Sequence, residues 1–321
     1  MNIKVKTPAR LHMGIIDMNG ELGRMYGSLG LAIKQPNIIV QAYESKNLLV
    51  EGEEQERVKQ TAKNLLKKFG IKKNCHIKVL QVIPSHVGLG SGTQLKLATA
   101  LSLAKLFDYN ISTHQLSQVI GRGDISGIGT AAFEMGGFIV DGGKSSNKTR
   151  KKLHPPVISR HAFPEDWLMV VALPGIKKGI SGKVEKHAFE KLPFAPAELV
   201  GKMCRLVVMK MIPALLERDI SSFGSALTDL QIMTGESFSS VQGGKFAGGT
   251  VSETVRFLLD EGAYGAGQSS WGPTVYGLVE GRSEAENLLA KVQMFLDSNS
   301  GGYAFYTQAD NYGAKVEIEE Q

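Results

Sequence analysis

Cysteine is almost missing from this chain. Cys75 and Cys204 are the only two in 321 residues, too few for a disulfide framework, and no Cys/His spacing resembles a zinc site. No apolar run approaches the length of a membrane span, and nothing near Met1 resembles a signal peptide, so a reducing cytoplasm is expected. Repeats and low-complexity tracts do not occur. The excess of one charge sign is small as well: a net +6 and a pI near 9.1 suit a small polyanionic substrate and are too weak to argue for nucleic acid. What remains is ordinary for a soluble globular enzyme, 42% hydrophobic and 21% charged, in a chain long enough for two linked domains.

The most informative stretch is Pro84 to Thr93, Pro-Ser-His-Val-Gly-Leu-Gly-Ser-Gly-Thr. A strand-like run precedes it (Cys75 to Ile83, with Ile77, Val79 and Val82), and Gln94 to Phe107 follows as a mostly buried helix rich in Leu and Ala. Strand, glycine turn and helix together present backbone N–H groups and the positive end of a helix dipole to an anion. Gly88, Gly90 and Gly92 leave no side chain between that backbone and a phosphate. The same arrangement also serves as a plain connection, and on this stretch alone both readings stand. No Gly-Lys-Ser/Thr closes the loop, so it is not a P-loop.

The rest of the chain alternates strand and helix signals. Strands are expected over Asn2 to Pro8, Arg10 to Asp17 up to the Asn19-Gly20 turn, Asn37 to Glu44, Phe138 to Val140, Trp167 to Leu173, Thr274 to Glu280 and Tyr303 to Thr307. Helices are expected over Glu53 to Phe69, Ser112 to Ile120 with a serine cap, Ser181 to Lys191, Ala195 to Leu216, Ile220 to Met233, Thr250 to Glu261 and Glu284 to Leu296. Phe238 to Gly249 reads as a glycine-rich loop with no chemistry attached. Pro155-Pro156 marks a domain boundary, giving 1–155 and 156–321.

Three pieces of the chain carry a resemblance. Thr7-Pro-Ala-Arg-Leu-His-Met-Gly14, Pro84-x-x-x-Gly88-Leu-Gly-Ser-Gly92 and Gly265-Ala-Gly-Gln-Ser-Ser-Trp-Gly-Pro-Thr-Val-Tyr276 resemble, in order, the motifs of the GHMP kinase superfamily. The resemblance implies an α+β, two-domain GHMP-kinase-like fold, with an N-terminal α/β domain of ribosomal-protein type and a C-terminal α/β sandwich-like domain. Finer matches at Leu11-His-x-Gly-x-x-Asp17, Gly20-Glu-Leu-Gly-Arg24, His86 to Gln94, Gly121-Arg-Gly123, Ser126-Gly-Ile-Gly129, Gly136 to Gly143 and Gln268 to Tyr276 resemble the β-ribofuranosylaminobenzene 5′-phosphate synthase family of methanopterin biosynthesis. That implies transfer of a phosphoribosyl group from phosphoribosyl pyrophosphate to 4-aminobenzoate or 4-hydroxybenzoate, with loss of carbon dioxide and pyrophosphate. It also implies Mg²⁺ and a homodimer.

One position separates synthase from kinase. Where the mevalonate-kinase pattern has its catalytic aspartate, this chain has Gly129, and Arg10 stands at that family's lysine position. A phosphotransferase that uses an aspartate to deprotonate a hydroxyl has lost it here, unless Asp124 or Asp17 replaces it. A non-catalytic binder of a phosphorylated metabolite is the third reading.

Asp17 and Arg24 are separated by six residues, two of them glycine, so one rim can carry both. Alone they read as a surface ion pair; the resemblance turns them, with His12, into catalytic candidates, Asp17 steadying charge at the ribose C1 or holding Mg²⁺ and Arg24 gripping an anion. His12 reads equally as a hydrogen-bonded core residue. For phosphate and substrate binding the resemblance points to Arg10, Gly88, Gly90, Ser91, Gly92, Thr93, Gln94, Arg122, Ser126, Gln268, Ser269 and Trp271. Trp271 could stack on the aromatic ring or be buried in the core. Lys144, Lys148, Arg150, Lys151 and Lys152 form either a solvated loop or an electrostatic lid.

Overall fold

The computed structural model describes residues 1–121, 125–146, 154–176, 189 and 192–319. The expected helix over 181–191 lies outside the described residues, apart from Phe189.

Two mixed layers share one core. The first sheet is built on β1 (Asn2–Asp17), paired antiparallel along its whole length with β2 (Arg24–Ser45). The segments on either side of Pro8 are thus a single strand. Register shifts at Pro8/Ala9 and His12/Gly14 absorb the proline and the glycine without ending the ladder. β3 (Leu49–Gly52) and β4 (Asn74–Gln81) run parallel, with helix α1 (Gln55–Phe69) crossing between them, and extend the sheet in the order β1-β2-β4-β3. α2 (Ser91–Leu106) lies on this sheet and is buried on nearly every side, which explains its lack of a polar stripe. α3 (Thr113–Val119) starts at the expected Ser112, in a reciprocal capping box with Gln115. α4 (Ile128–Met135) then leads to β5 (Phe138–Asp141), which pairs with the opening half of β2, and to the short β6 (Lys144–Ser145).

The chain does not divide cleanly at Pro155-Pro156. β7 (Val157–His161) extends the first sheet by pairing with β5, and the last strand, β12 (Lys315–Glu319), returns to pair with β1. The second sheet has the order β11-β8-β10-β9, from β8 (Trp167–Pro174), β9 (Gly265–Gln268), β10 (Val275–Glu280) and β11 (Gly302–Gln308). Every residue of β8 is buried because both faces are covered. Met169, Val171 and Leu173 join the main core shared with the first sheet, whereas Leu168, Val170 and Ala172 pack under later helices. At roughly 1.5–3 kcal/mol for each buried large aliphatic side chain, these strand residues hold the two layers together.

The helices of the second half are α5 (Ala197–Leu206), α6 (Ile212–Glu217), α7 (Ile220–Gln242), α8 (Gly249–Asp260) and α9 (Arg282–Asn299). A π-turn over Val207–Met211 joins α5 to α6 where one continuous helix was expected. Pro213 lacks the N–H that would bond the Met209 carbonyl, and the wider turn accommodates its ring. α7 runs well past Met233 and takes in the first part of the supposed loop. Among the described residues, no helix is long and apolar enough to cross a membrane.

Candidate active site

Backbone approaches position the site. Gly88 lies at φ +96, and a Cβ there would stand 2.3 Å from the Ser269 carbonyl; a Cβ on Gly272 would stand 2.0 Å from that of Val87. Both residues must therefore be glycine for the central and carboxy-terminal motifs to meet. Ser269 staples the junction: its hydroxyl donates to the Gly88 carbonyl (2.7 Å) and accepts from the His12 N–H (2.9 Å). Thr274 donates its hydroxyl to the Val87 carbonyl at 2.6 Å.

This junction closes one side of a cavity of about 650 Å³. Arg10, His12 and Gly14 reach it from β1 by strand alternation. Arg10 lies along the glycine loop, its N–H bonded to the Leu89 carbonyl (3.1 Å) and its guanidinium to that of Gly88. Thr93 in the first turn of α2, Ser126 and Gly129 complete the wall at this end, and no acidic residue stands in that first turn. Lys144 enters from β6 and Lys245 from the loop after α7. The described lining includes Arg10, Lys144 and Lys245 and not one carboxylate. Such a cavity has a positive field.

The opposite end is aromatic. Trp271 meets Phe238 edge to face at 4.8 Å between ring centroids, and Phe189 contacts both at 5.5–5.6 Å. Tyr26 adds a further edge contact to Phe189, and Phe246 lines the same space. Trp271 is both a cavity wall and a core residue, 8% exposed, so the two readings of it are compatible.

His12 lines the cavity at 8% exposure, and no hydrogen bond of its ring is found among the described residues. Burial, helped by the Arg10 charge, pushes its pKa down to about 3, so the ring is neutral near pH 7. Asp141 is fully buried behind the wall and accepts N–H bonds from Gly127 and Gly143, both at 2.8 Å, and a longer one from the Ser126 hydroxyl. Burial raises its pKa in spite of these bonds.

The structure brings Arg10, His12, Thr93, Ser126, Gln268 and Trp271 to the cavity and leaves other expected residues behind it. Gln94 is turned inward, accepting from Thr7 (2.5 Å) and donating to the Gly129 carbonyl (2.8 Å), so it anchors α4 rather than a phosphate. Gly88, Gly90, Ser91, Gly92 and Ser269 shape the loop and its junction without lining the cavity. Asp17 also departs from expectation: its carboxylate caps the N–H groups of Asn19 (2.7 Å) and Gly20 (2.8 Å) in its own turn. Arg24 spends its guanidinium on the Gly142 and Gly143 carbonyls, both at 2.6 Å. Neither lines the cavity, because the turn between them folds back on itself and on the β5–β6 connection. Arg122, Asp124, Lys148, Arg150, Lys151 and Lys152 lie outside the described residues.

Sequence reasoning missed Gln231, Thr234, Phe238 and Gln242, which recur at helical spacing on one face of α7 and all line the cavity. That face interrupts an apolar helix with amides and a hydroxyl, the one signal available. As for a metal, no group of three His, Cys, Asp or Glu side chains is clustered among the described residues. The described wall does not fit a protein-held Mg²⁺.

Residues 56–137 match the GHMP kinases N terminal domain and residues 211–297 the GHMP kinases C terminal family. The chain is 36% identical over 294 residues to a beta-ribofuranosylphenol 5′-phosphate synthase of Methanothermobacter thermautotrophicus, covering 86% of this chain and 88% of the relative. It is 35% identical to the protein of that name from Archaeoglobus fulgidus, covering 98% and 100%. A crystal structure of Lactococcus lactis galactokinase complexed with galactose superimposes with a TM-score of 0.69 at 15% identity, covering 98% of this chain and 95% of that one, which shows the shared fold. The chain belongs to the beta-ribofuranosylphenol 5′-phosphate synthase family of enzymes, on the GHMP kinase fold.

Proposed function

We propose that this member of the family joins phosphoribosyl pyrophosphate to 4-hydroxybenzoate or 4-aminobenzoate, releasing carbon dioxide and pyrophosphate, as an early step of methanopterin biosynthesis. The observation that carries the reading is one cavity with cations and no carboxylate in its described wall and an aromatic box at one end. A phosphorylated sugar and an aromatic acid need those two environments side by side.

The bonds balance without an added proton. The C1–oxygen bond of the ribose breaks, its electron pair leaving with pyrophosphate. The ring carbon that bears the carboxylate attacks C1, and the bond to the carboxylate then breaks, its pair restoring aromaticity. Arg10, Lys144 and Thr93 would hold the phosphates, and the aromatic box would keep water from the electrophilic carbon. His12, neutral and lined up beside Arg10, would hydrogen-bond the sugar or its leaving oxygen. Asp17 and Arg24 would act as positioning residues, since they brace the turn and the β5–β6 connection from which Lys144 enters. Mg²⁺ would arrive on the pyrophosphate, and no step is assigned to it. A homodimer is proposed on the resemblance alone.

The kinase reading is weaker because no base is found at the cavity among the described residues: Gly129 lines it where the aspartate would project, and Asp17 is committed to its own turn. Pyrophosphate release measured with each substrate alone and with both tests the proposal. Release that needs both substrates is expected; ATP-dependent phosphorylation of an alcohol instead would overturn it.

A further inference from the structure

We infer that the Ser270 hydroxyl binds the carboxylate of the aromatic acid at the seam between the cationic and aromatic parts of the cavity, an assignment that rests on the reaction proposed above. In that reaction the carbon bearing the carboxylate attacks the ribose C1. The sugar phosphates lie with Arg10 and Lys144 and the ring lies in the aromatic box, so the carboxylate falls where the two environments meet.

Ser270 stands at that meeting point. Its N–H donates to the His12 carbonyl at 3.3 Å, and its neighbour in the chain is Trp271. His12 follows Arg10 by two residues on β1, and both line the cavity. The adjacent Ser269 grips the same residue through the His12 N–H, but its one hydroxyl proton is given to the Gly88 carbonyl. Ser270 is placed differently. It lines the cavity, is only partly buried, and no partner of its hydroxyl is found among the described residues.

The backbone is held so as to present that side chain. Ser270 lies at φ +56, a left-handed conformation that a residue with a Cβ keeps only where its surroundings enforce it. The bond to His12 fixes its N–H, and the Gln268 amide donates to its carbonyl at 3.0 Å. Gln268 is itself anchored, its amide oxygen accepting from the Ala247 N–H at 2.8 Å. Both backbone groups of Ser270 are thus committed to the protein, and what it offers a ligand is the hydroxyl. Tyr26, at φ +78, is the other non-glycine residue of the described lining with a positive φ.

A hydroxyl suits the chemistry at this position. It donates to a carboxylate oxygen and carries no charge. Loss of carbon dioxide draws the negative charge out of the carboxylate and into the ring. A guanidinium or ammonium paired with that group would hold it most strongly before the bond breaks and so oppose its departure. A neutral donor orients the group and lets its charge go.

The test is calorimetric titration of the wild type, Ser270→Ala and Ser270→Gly with 4-hydroxybenzoate and with 4-methylphenol, which lacks the carboxylate, both in the presence of pyrophosphate. Pyrophosphate is also titrated alone. Alanine keeps a Cβ at the positive φ and glycine removes it, so the loss common to both variants is the hydroxyl. Both should bind 4-hydroxybenzoate about tenfold more weakly than the wild type and leave 4-methylphenol and pyrophosphate within about twofold. Equal weakening of the acid and 4-methylphenol, weakening of pyrophosphate in place of the acid, a loss in the alanine variant that the glycine variant does not share, or no change in any would overturn the inference. The wild type is also assayed for riboside formation. Turnover with an acid affinity that neither variant alters removes this assignment alone. Weakening confined to the acid, without turnover, removes the reaction and keeps the carboxylate subsite.

Discussion

Gly129 offers a test in which charge and bulk can be separated. It lines the cavity, and a Cβ there would meet Thr93 Cγ2 at 3.1 Å, tight enough that the threonine must yield by a few tenths of an ångström. Gly129→Asn and Gly129→Asp impose the same steric demand, so their difference isolates one negative charge. With a phosphate charge about 6 Å away and an effective dielectric of about 20, the repulsion is about 3 kcal/mol. That corresponds to a KM for phosphoribosyl pyrophosphate about a hundredfold higher in the aspartate variant than in the asparagine one. Pyrophosphate release at varied donor concentration measures it, and high salt should narrow the gap. Equal constants for the two variants would show that donor phosphates do not lie at this wall. Gain of ATP turnover by Gly129→Asp would return the chain to kinase chemistry.

Other outcomes follow from buried groups. An unfolded His12 takes up a proton near pH 6.5, whereas the folded one waits until about 3. Between those values the unfolded state binds more protons, so stability falls as pH drops through 6.5, by about 1.4 kcal/mol per unit. His12→Gln should gain about 2 kcal/mol relative to wild type between pH 7 and 5 in urea unfolding; parallel curves would contradict a neutral, buried ring. Asp141→Asn places an amide donor against the N–H groups of Gly127 and Gly143 and should cost about 3 kcal/mol in the same assay, with an unchanged midpoint as the refuting result. Trp271→Leu should raise the KM of the aromatic acid about tenfold, from lost ring contacts, and leave that of the sugar phosphate within about twofold. A parallel rise in both would place the ring elsewhere.

Local chemistry made some of this visible from residue order. The glycines of the central and carboxy-terminal motifs mark where two backbones touch, and Gly88 against Ser269 and Gly272 against Val87 are such approaches. Ser112 caps α3 because a capping box needs only neighbours in sequence. Side-chain direction was not legible: Gln94 follows the loop directly and points into the core, and Asp17 and Arg24 are satisfied by backbone groups of nearby turns. The end of α7 was hidden because Thr234-Gly235 looks like a helix terminus, while packing of the Lys245 loop on Gly235 carries the helix onward. With it went Phe238 and Lys245 as site residues. The strands that close the first sheet, Val157–His161 and Lys315–Glu319, depend on partners far away in sequence, which no local pattern reports.

The central claim is a carbon–carbon bond made as carboxylate leaves. Purified protein, phosphoribosyl pyrophosphate, Mg²⁺ and carboxyl-labelled 4-hydroxybenzoate test it directly, with 4-aminobenzoate run in parallel. The account predicts labelled carbon dioxide in equal amount to the aryl riboside phosphate formed, and none without the sugar pyrophosphate. Label retained in the product with either acid, or no product from both, would contradict it.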